Sequence, residues 1–151
     1  ARPLRLVVVS ERAPLPEERM RFAATLPPER LEFRAHCDDR ELAALYGTCA
    51  AFVYPSIYEG FGIPILEALE AGAPVVRADT PVFHEVGGDA VGYFDPRSPS
   101  ALHAALDQAL AAARAPDRVA ARRRHAAGFS WDRTAAGFLE VLRAAVADAQ
   151  P

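Results

Sequence analysis

The sequence predicts an α/β fold in which a parallel sheet carries helices on both faces. Three observations point there. Short apolar runs recur, such as 4–9 (LRLVVV) and 74–78 (PVVRA), and the near-continuous, valine-rich run 4–9 suits a strand buried on both faces of a parallel sheet. These runs alternate with stretches of helical spacing, which is the pattern of βαβ units. The segments after the runs are polar or glycine-rich, and they fall where parallel sheets place their ligand loops, at the carboxyl ends of the strands.

Taken in order, 4–9 is the first strand and 10–16 a loop. A short helix follows over 17–26, stopped by Pro27 and Pro28. Residues 30–35 (RLEFRA) alternate and read as a second strand. Asp38 is the expected N-cap of a helix over 39–46, with Glu41 completing a capping box and Gly47 ending the helix. Residues 50–54 (AAFVY) form the third strand and 74–78 the fourth, where Arg77 is expected to point outward. Asp79, Thr80 and Pro81 break the chain before a short turn or helix over 82–86, and 91–94 is a fifth strand. Ser98 opens a helix with Leu102, Ala105, Leu106 and Leu110 on one face. A basic helix over 117–127 carries Arg122, Arg123, Arg124 and His125, read as a solvated face. Trp131 is expected as a packing anchor at the head of a last helix over 131–149, with Phe138, Leu139, Val141, Leu142 and Val146 turned inward. With right-handed crossovers this is a Rossmann-like sheet.

The chain is organised around 54–70 (YPSIYEGFGIPILEALE). A strand ends at Tyr54, a loop reaches Glu59, a turn forms at Gly60, Phe61 and Gly62, and a helix starts near Pro64 and ends at Gly72. Proline suits the first helical position because its missing N–H has no partner there, and glycine suits the residue past the end. Strand, glycine turn and helix N-terminus together make a seat for an anion, with N–H groups pointing outward and the helix dipole favouring negative charge. Glu59 and Glu67 stand eight residues apart across that turn. Carboxylates are ill suited to a site for phosphate alone, but they accept paired hydrogen bonds from sugar hydroxyls. The pattern therefore reads as a seat for a nucleotide sugar, with amides for the diphosphate and one carboxylate for each sugar. A surface loop residue at Glu59 and a dipole-favoured first-turn residue at Glu67 is the plainer alternative.

Composition bounds the partners. The 151 residues suit one domain, and a content of 51% hydrophobic and 25% charged residues is that of a globular protein with a core. A net charge of -3 argues against nucleic acid or an anionic membrane as the main partner. All 17 basic residues are arginine, which excludes lysine Schiff-base chemistry within the chain. That usage, with the many alanines, resembles the product of a GC-rich bacterial genome. Cys37 and Cys49 have neither metal-ligand nor CxxC spacing and read as buried thiols of a reduced, cytosolic protein. No run is long and apolar enough to suggest a membrane span. The chain begins at Ala1 rather than Met, as a processed product or a piece of a longer protein does.

With these residues in view, the chain resembles the C-terminal, donor-binding half of a retaining GT-B glycosyltransferase of the family 4 type. The resemblance runs over about 2–138, and its specific part is the E-x7-E signature from Glu59 to Glu67. The family's companion segments occur in order: 39–46 (DRELAALY), Tyr54-Pro55-Ser56, 71–76 (AGAPVV), 85–90 (EVGGDA), Phe94-Asp95-Pro96 and Phe129-Ser130-Trp131. The resemblance implies half of a GT-B fold. It implies a single donor domain over 1–151 without the family's first strand and loop and without the N-terminal acceptor domain. It implies that Glu59 contacts donor-sugar hydroxyls as the catalytic-site carboxylate. The amides of Gly60, Phe61, Gly62 and Ile63 would face sugar and diphosphate, Glu67 would hold the ribose, and Ala35 and His36 would meet the base through their backbone. It implies transfer of a hexosyl group from a UDP- or GDP-linked sugar, with no cofactor and no metal. The full enzyme would be cytoplasmic, with peripheral contact at the inner face of the membrane, and the isolated chain would not turn over, because the cations that neutralise the leaving diphosphate are absent.

Two other functions fit the same residues: a non-catalytic nucleotide-sugar-binding or partner subunit, and another GT-B enzyme such as a sugar-nucleotide epimerase or a phosphorylase. Smaller candidates are His84 and Glu85 for acid–base chemistry or a cap, Asp79 and Thr80 for phosphate contact or a turn, Arg77 as a substitute cation, and Tyr58 beside the sugar.

Overall fold

A computed structural model describes residues 4–80, 84–111, 113 and 115–148. The elements run β1 (Leu6–Ser10), α1 (Pro16–Ala23), β2 (Leu31–Ala35), α2 (Asp39–Thr48), β3 (Phe52–Tyr54), α3 (Ile63–Glu70), β4 (Val75–Ala78), α4 (His84–Gly87), β5 (Gly92–Phe94), α5 (Pro99–Ala111), α6 (Pro116–Ala126) and α7 (Trp131–Asp148). Every strand pairing is parallel, and helices alternate with the strands, so the predicted Rossmann-like α/β class is what is found. The chain divides into two compact units, Ala1–Leu45 and Tyr46–Pro151.

In the first unit β1 and β2 pair from Leu6 opposite Leu31 to Ser10 opposite Ala35. Helix α1 stops at Ala23 rather than at Leu26, because the N–H groups of Thr25 and Leu26 and the Thr25 hydroxyl all turn onto the Phe22 carbonyl. Its N-terminal end is held by Glu18, whose carboxylate accepts from the Leu15 N–H at 2.7 Å and takes both Arg12 nitrogens at 2.7 and 2.9 Å. The Arg12 fork, then the Leu15 N–H, hold the Glu18 carboxyl down at about 2. A depressed folded-state value stabilises the folded form above the ordinary carboxylate range and is lost as pH falls through the folded value. An NMR titration is therefore expected to show Glu18 titrating near 2 and loosening of the Arg12–Glu18 corner only below the ordinary range. In Arg12→Ala the Glu18 midpoint should move up toward the ordinary value. The capping box of α2 forms as its sequence predicts, with Glu41 N–H to Asp38 Oδ1 at 2.8 Å and Asp38 N–H to Glu41 Oε2 at 3.1 Å. Helix α2 does not end at Gly47; it runs through Thr48.

In the second unit the strand order is β3-β4-β5, with β4 central and buried along its whole length. Successive strand residues face opposite ways. Val76 and Ala78 join Phe94 and Ala105 in one core cluster, against which Val53, Leu102 and Leu106 pack. Ser98 caps α5, its hydroxyl accepting from the Ala101 N–H at 3.2 Å. Ile65 and Leu69 of α3 are fully buried, each contributing about 1.5–3 kcal/mol. Beyond α3 the chain closes a Schellman turn: Ala73 N–H reaches Ala68 O at 2.8 Å, Gly72 N–H reaches Leu69 O at 2.9 Å, and Gly72 takes a left-handed φ of 85°.

Several expectations are corrected here. Arg77 does not point outward; it is fully buried in β4. The basic run of α6 is a solvated face only in part, at the exposed Arg123 and Arg124. Arg122 is buried and donates to the carbonyls of Gly72 and Ala113, Arg123 reaches Ala71 O, and His125 Nε2 lies 2.8 Å from Val86 O. Only Arg124 of the four is exposed without such a contact. Trp131 is 78% exposed rather than a packing anchor, and Phe138, Leu139, Val141, Leu142 and Val146 are exposed rather than inward. The stripe is real as a pattern, but no described element covers it. Cys37 and Cys49 are half-buried rather than buried. Expectations for residues 81–83 and 149 lie outside the described residues.

Candidate functional site

The site is built on the carboxyl end of β3 and the start of α3. Gly62 is the N-cap of α3 and adopts φ 97°, a left-handed conformation that costs a residue with a Cβ about 1–2 kcal/mol. Pro64 is the second helical residue rather than the first, with Ile63 ahead of it. Among the described residues the N–H groups of Gly60, Phe61, Gly62 and Ile63 have no backbone acceptor, so the turn presents them at the positive end of the helix. Gly60, Phe61 and Ile63 are exposed and Gly62 is buried. Phe61 meets Phe129 edge to face at 6.2 Å, and Phe129 lies 5.7 Å from the ring of His125, which ties the turn to the end of α6.

Both glutamates are backed by tyrosines that sequence reasoning did not assign. Tyr54 donates to Glu59 Oε1 at 2.6 Å, and the Ser56 hydroxyl lies 3.0 Å from the same oxygen. Tyr46, buried at the end of α2, makes a long contact to Glu67 Oε2 at 3.5 Å. The Phe52 ring stands between the two phenols, 5.0 Å from Tyr46 and 5.7 Å from Tyr54. Burial first, then the glutamate, pushes each tyrosine well above its ordinary value, so both remain protonated donors. Glu59 is half-buried and Glu67 exposed.

Behind Tyr54 lies the buried Arg77. The register places Tyr54 opposite Arg77 and Arg77 opposite Tyr93, a row of two phenols flanking one guanidinium. Arg77 donates through Nε to Ala78 O at 3.0 Å and through Nη2 to Thr80 Oγ1 at 3.3 Å. Burial lowers its proton affinity, while Tyr93, Tyr54, Asp79 and Glu59 pull it back up. The only signal for this row in the sequence was one arginine inside an apolar strand.

The remaining candidates fall as follows. His84 Nε2 is 2.8 Å from Asp79 Oδ1, and the His84 ring stacks on Tyr93 at 4.3 Å, so this histidine joins Asp79 to β5. Glu85 is exposed, and Tyr58 is 91% exposed. Ala35 and His36 belong to the first unit. Both are exposed, and His36 takes a left-handed φ of 55° with its N–H on Ser10 O at 3.2 Å. A cavity of about 190 Å³ lies at the other end of α3, lined by Gly47, Cys49, Gly72 and Ala73 among others, and is separate from the glycine turn. Among the described residues no three His, Cys, Asp or Glu side chains come together to hold a metal ion, and no helix is long and apolar enough to cross a membrane.

A fold of parallel strands flanked by helices, with a glycine turn between two carboxylates at a helix start, defines the class. The chain belongs to the glycosyl transferases group 1 family, whose model matches residues 2–126, and it is a GT-B glycosyltransferase domain. It is 42% identical over 80 residues to the O-antigen chain mannosyltransferase B of Escherichia coli, covering 53% of this chain and 21% of that one. It is 40% identical over 114 residues to the D-inositol 3-phosphate glycosyltransferase of Salinispora arenicola, covering 71% of this chain and 25% of that one. The chain thus spans a quarter or less of these two relatives. In fold it is similar to the sucrose-phosphate synthase of Thermosynechococcus elongatus, with a TM-score of 0.73 at 24% identity over 96% of this chain and 39% of that one.

Proposed function

We propose that this chain is the donor-binding part of a retaining glycosyltransferase of the family 4 type, which moves a hexosyl group from a UDP- or GDP-linked sugar to an acceptor. The observation that carries the reading is the pair Glu59 and Glu67 bracketing the glycine turn at the start of α3. In this reading the amides of residues 60–63 and the helix dipole take the diphosphate. Glu59 takes hydroxyls of the transferred sugar, and Glu67 takes those of the ribose. Ala35 and His36 meet the base through their backbone. Their place at the carboxyl end of β2 supports that role, because ligands of open α/β sheets bind outside the carboxyl ends of the strands. The mannosyltransferase among the relatives supports a hexosyl donor. Acceptor recognition, location in the cytoplasm at the inner face of a membrane, and the absence of a cofactor belong to the same proposal for the whole enzyme.

Glu59→Ala tests it. Calorimetry with UDP, GDP and their hexose derivatives is expected to show nearly intact binding of the free diphosphate. The sugar-bearing form should weaken by about 1–3 kcal/mol, the value of hydrogen bonds to a charged group. Equal losses for both ligands would contradict the assignment of Glu59 to the sugar.

A further inference from the structure

We propose that Tyr54 is a positioning residue for Glu59, fixing one carboxylate oxygen from behind so that the other alone meets the donor sugar; this rests on the donor-seat reading above. The geometry is specific. Tyr54 gives its proton to Glu59 Oε1 at 2.6 Å, the length of a strong hydrogen bond to a carboxylate. Ser56 Oγ lies 3.0 Å from the same oxygen and 3.1 Å from Tyr58 O. A hydroxyl has one proton, and the charged acceptor is the better partner for it. Two donors therefore converge on Oε1, and Oε2 is left to accept from hydroxyls.

Tyr54 is itself half-buried and held on the sheet. It sits on β3, in register with the fully buried Arg77 and 5.7 Å from the Phe52 ring. Glu59, by contrast, is on a loop with three rotatable bonds, and ordering such a side chain on binding costs free energy. A donor sugar that meets a carboxylate already held in place does not pay that cost, so the benefit appears in sugar binding rather than in nucleotide binding. The held geometry also sets the chemistry that is recognised. A carboxylate oxygen accepts but does not donate, so Oε2 selects free hydroxyls and disfavours carbonyl or carboxylate substituents on the sugar.

The test reads one ratio: the dissociation constant of the free diphosphate over that of the sugar-bearing form. The probes are UDP with UDP-glucose, GDP with GDP-mannose and ADP with ADP-glucose. Tyr54→Phe keeps the ring and removes only the hydroxyl. It is expected to lower the ratio by about tenfold, the order of one hydrogen bond to a charged group. Ser56→Ala should lower it less. In a Glu59→Ala background Tyr54→Phe should have no further effect, because the cycle removes the partner on which Tyr54 acts. A merely structural role would lower thermal stability without touching the ratio. A wild-type ratio above one that Glu59→Ala abolishes and Tyr54→Phe leaves intact would overturn this inference alone. The same loss from Tyr54→Phe with and without Glu59 would do so too. A wild-type ratio of one for every probe would overturn the donor-seat reading and this inference with it.

Discussion

Glu67→Ala is expected to weaken binding of the preferred free nucleoside diphosphate by about 1–3 kcal/mol, roughly 5- to 150-fold in dissociation constant. Glu67 stands exposed on α3, one turn past Pro64. Among the described residues its carboxylate takes the long 3.5 Å contact from Tyr46, so most of its accepting capacity faces outward. A ribose presents two neighbouring hydroxyls, which a carboxylate accepts together. The loss should be the same for the free diphosphate and its sugar derivatives, because both carry the ribose. That separates Glu67 from Glu59, whose loss is confined to the sugar-bearing form. Calorimetric titration measures both, and an unchanged affinity for the diphosphate in Glu67→Ala would remove the ribose role.

The second large effect is on stability. Arg122→Ala is expected to destabilise the fold by about 2–4 kcal/mol, lowering Tm by roughly 5–15 °C. The guanidinium is buried, and its Nη1 donates to Gly72 O at 3.1 Å and to Ala113 O at 2.9 Å. Gly72 closes the Schellman turn after α3, and Val119 of α6 packs so near it that a Cβ there would come within 2.8 Å. Truncation would leave the carbonyl of the buried Gly72 and that of the half-buried Ala113 without their donor and open space beneath the helix that carries Glu67. Arg124→Ala, two residues on and exposed on the opposite face of α6, is the control and should change Tm little. A loss from Arg122→Ala no greater than that of the control would contradict this account of how α6 braces α3.

What was legible in the sequence was local. The capping box of Asp38 and Glu41 and the glycine and proline at the start of α3 are set by residues within a turn of one another, and they form as read. The strand at 74–78 forms as β4, whereas the run 4–9, which suits a strand buried on both faces, forms β1 with Leu6 and Val9 exposed. What was not legible depends on partners far along the chain. Arg77 looked like an outward-facing charge because its neighbours in sequence are apolar. Its actual neighbours, Tyr54 and Tyr93, come from the two flanking strands, and only the register brings them alongside. The basic run of α6 looked solvated because three charges and a histidine in sequence usually are. Here the carbonyls of Ala71, Gly72 and Val86, some 40–50 residues away, take up three of the four. Helix α7 errs in the opposite sense: an apolar stripe states that a helix can be covered, and does not state by what. In the site, the two glutamates and the glycine turn were evident from spacing. Tyr54 and Ser56 were visible as a lead-in to the motif, but their convergence on one oxygen of Glu59 requires the folded loop.

The central claim is that the start of α3 is a seat for a nucleoside diphosphate. A protein-observed NMR titration of this chain with UDP, GDP and ADP tests it most directly. One diphosphate is expected to shift the amides of Gly60, Phe61, Gly62 and Ile63 together with Glu67 and the Ala35–His36 main chain, saturably, and the others to shift them less. Shifts confined to other surfaces, or none with millimolar ligand, would contradict it.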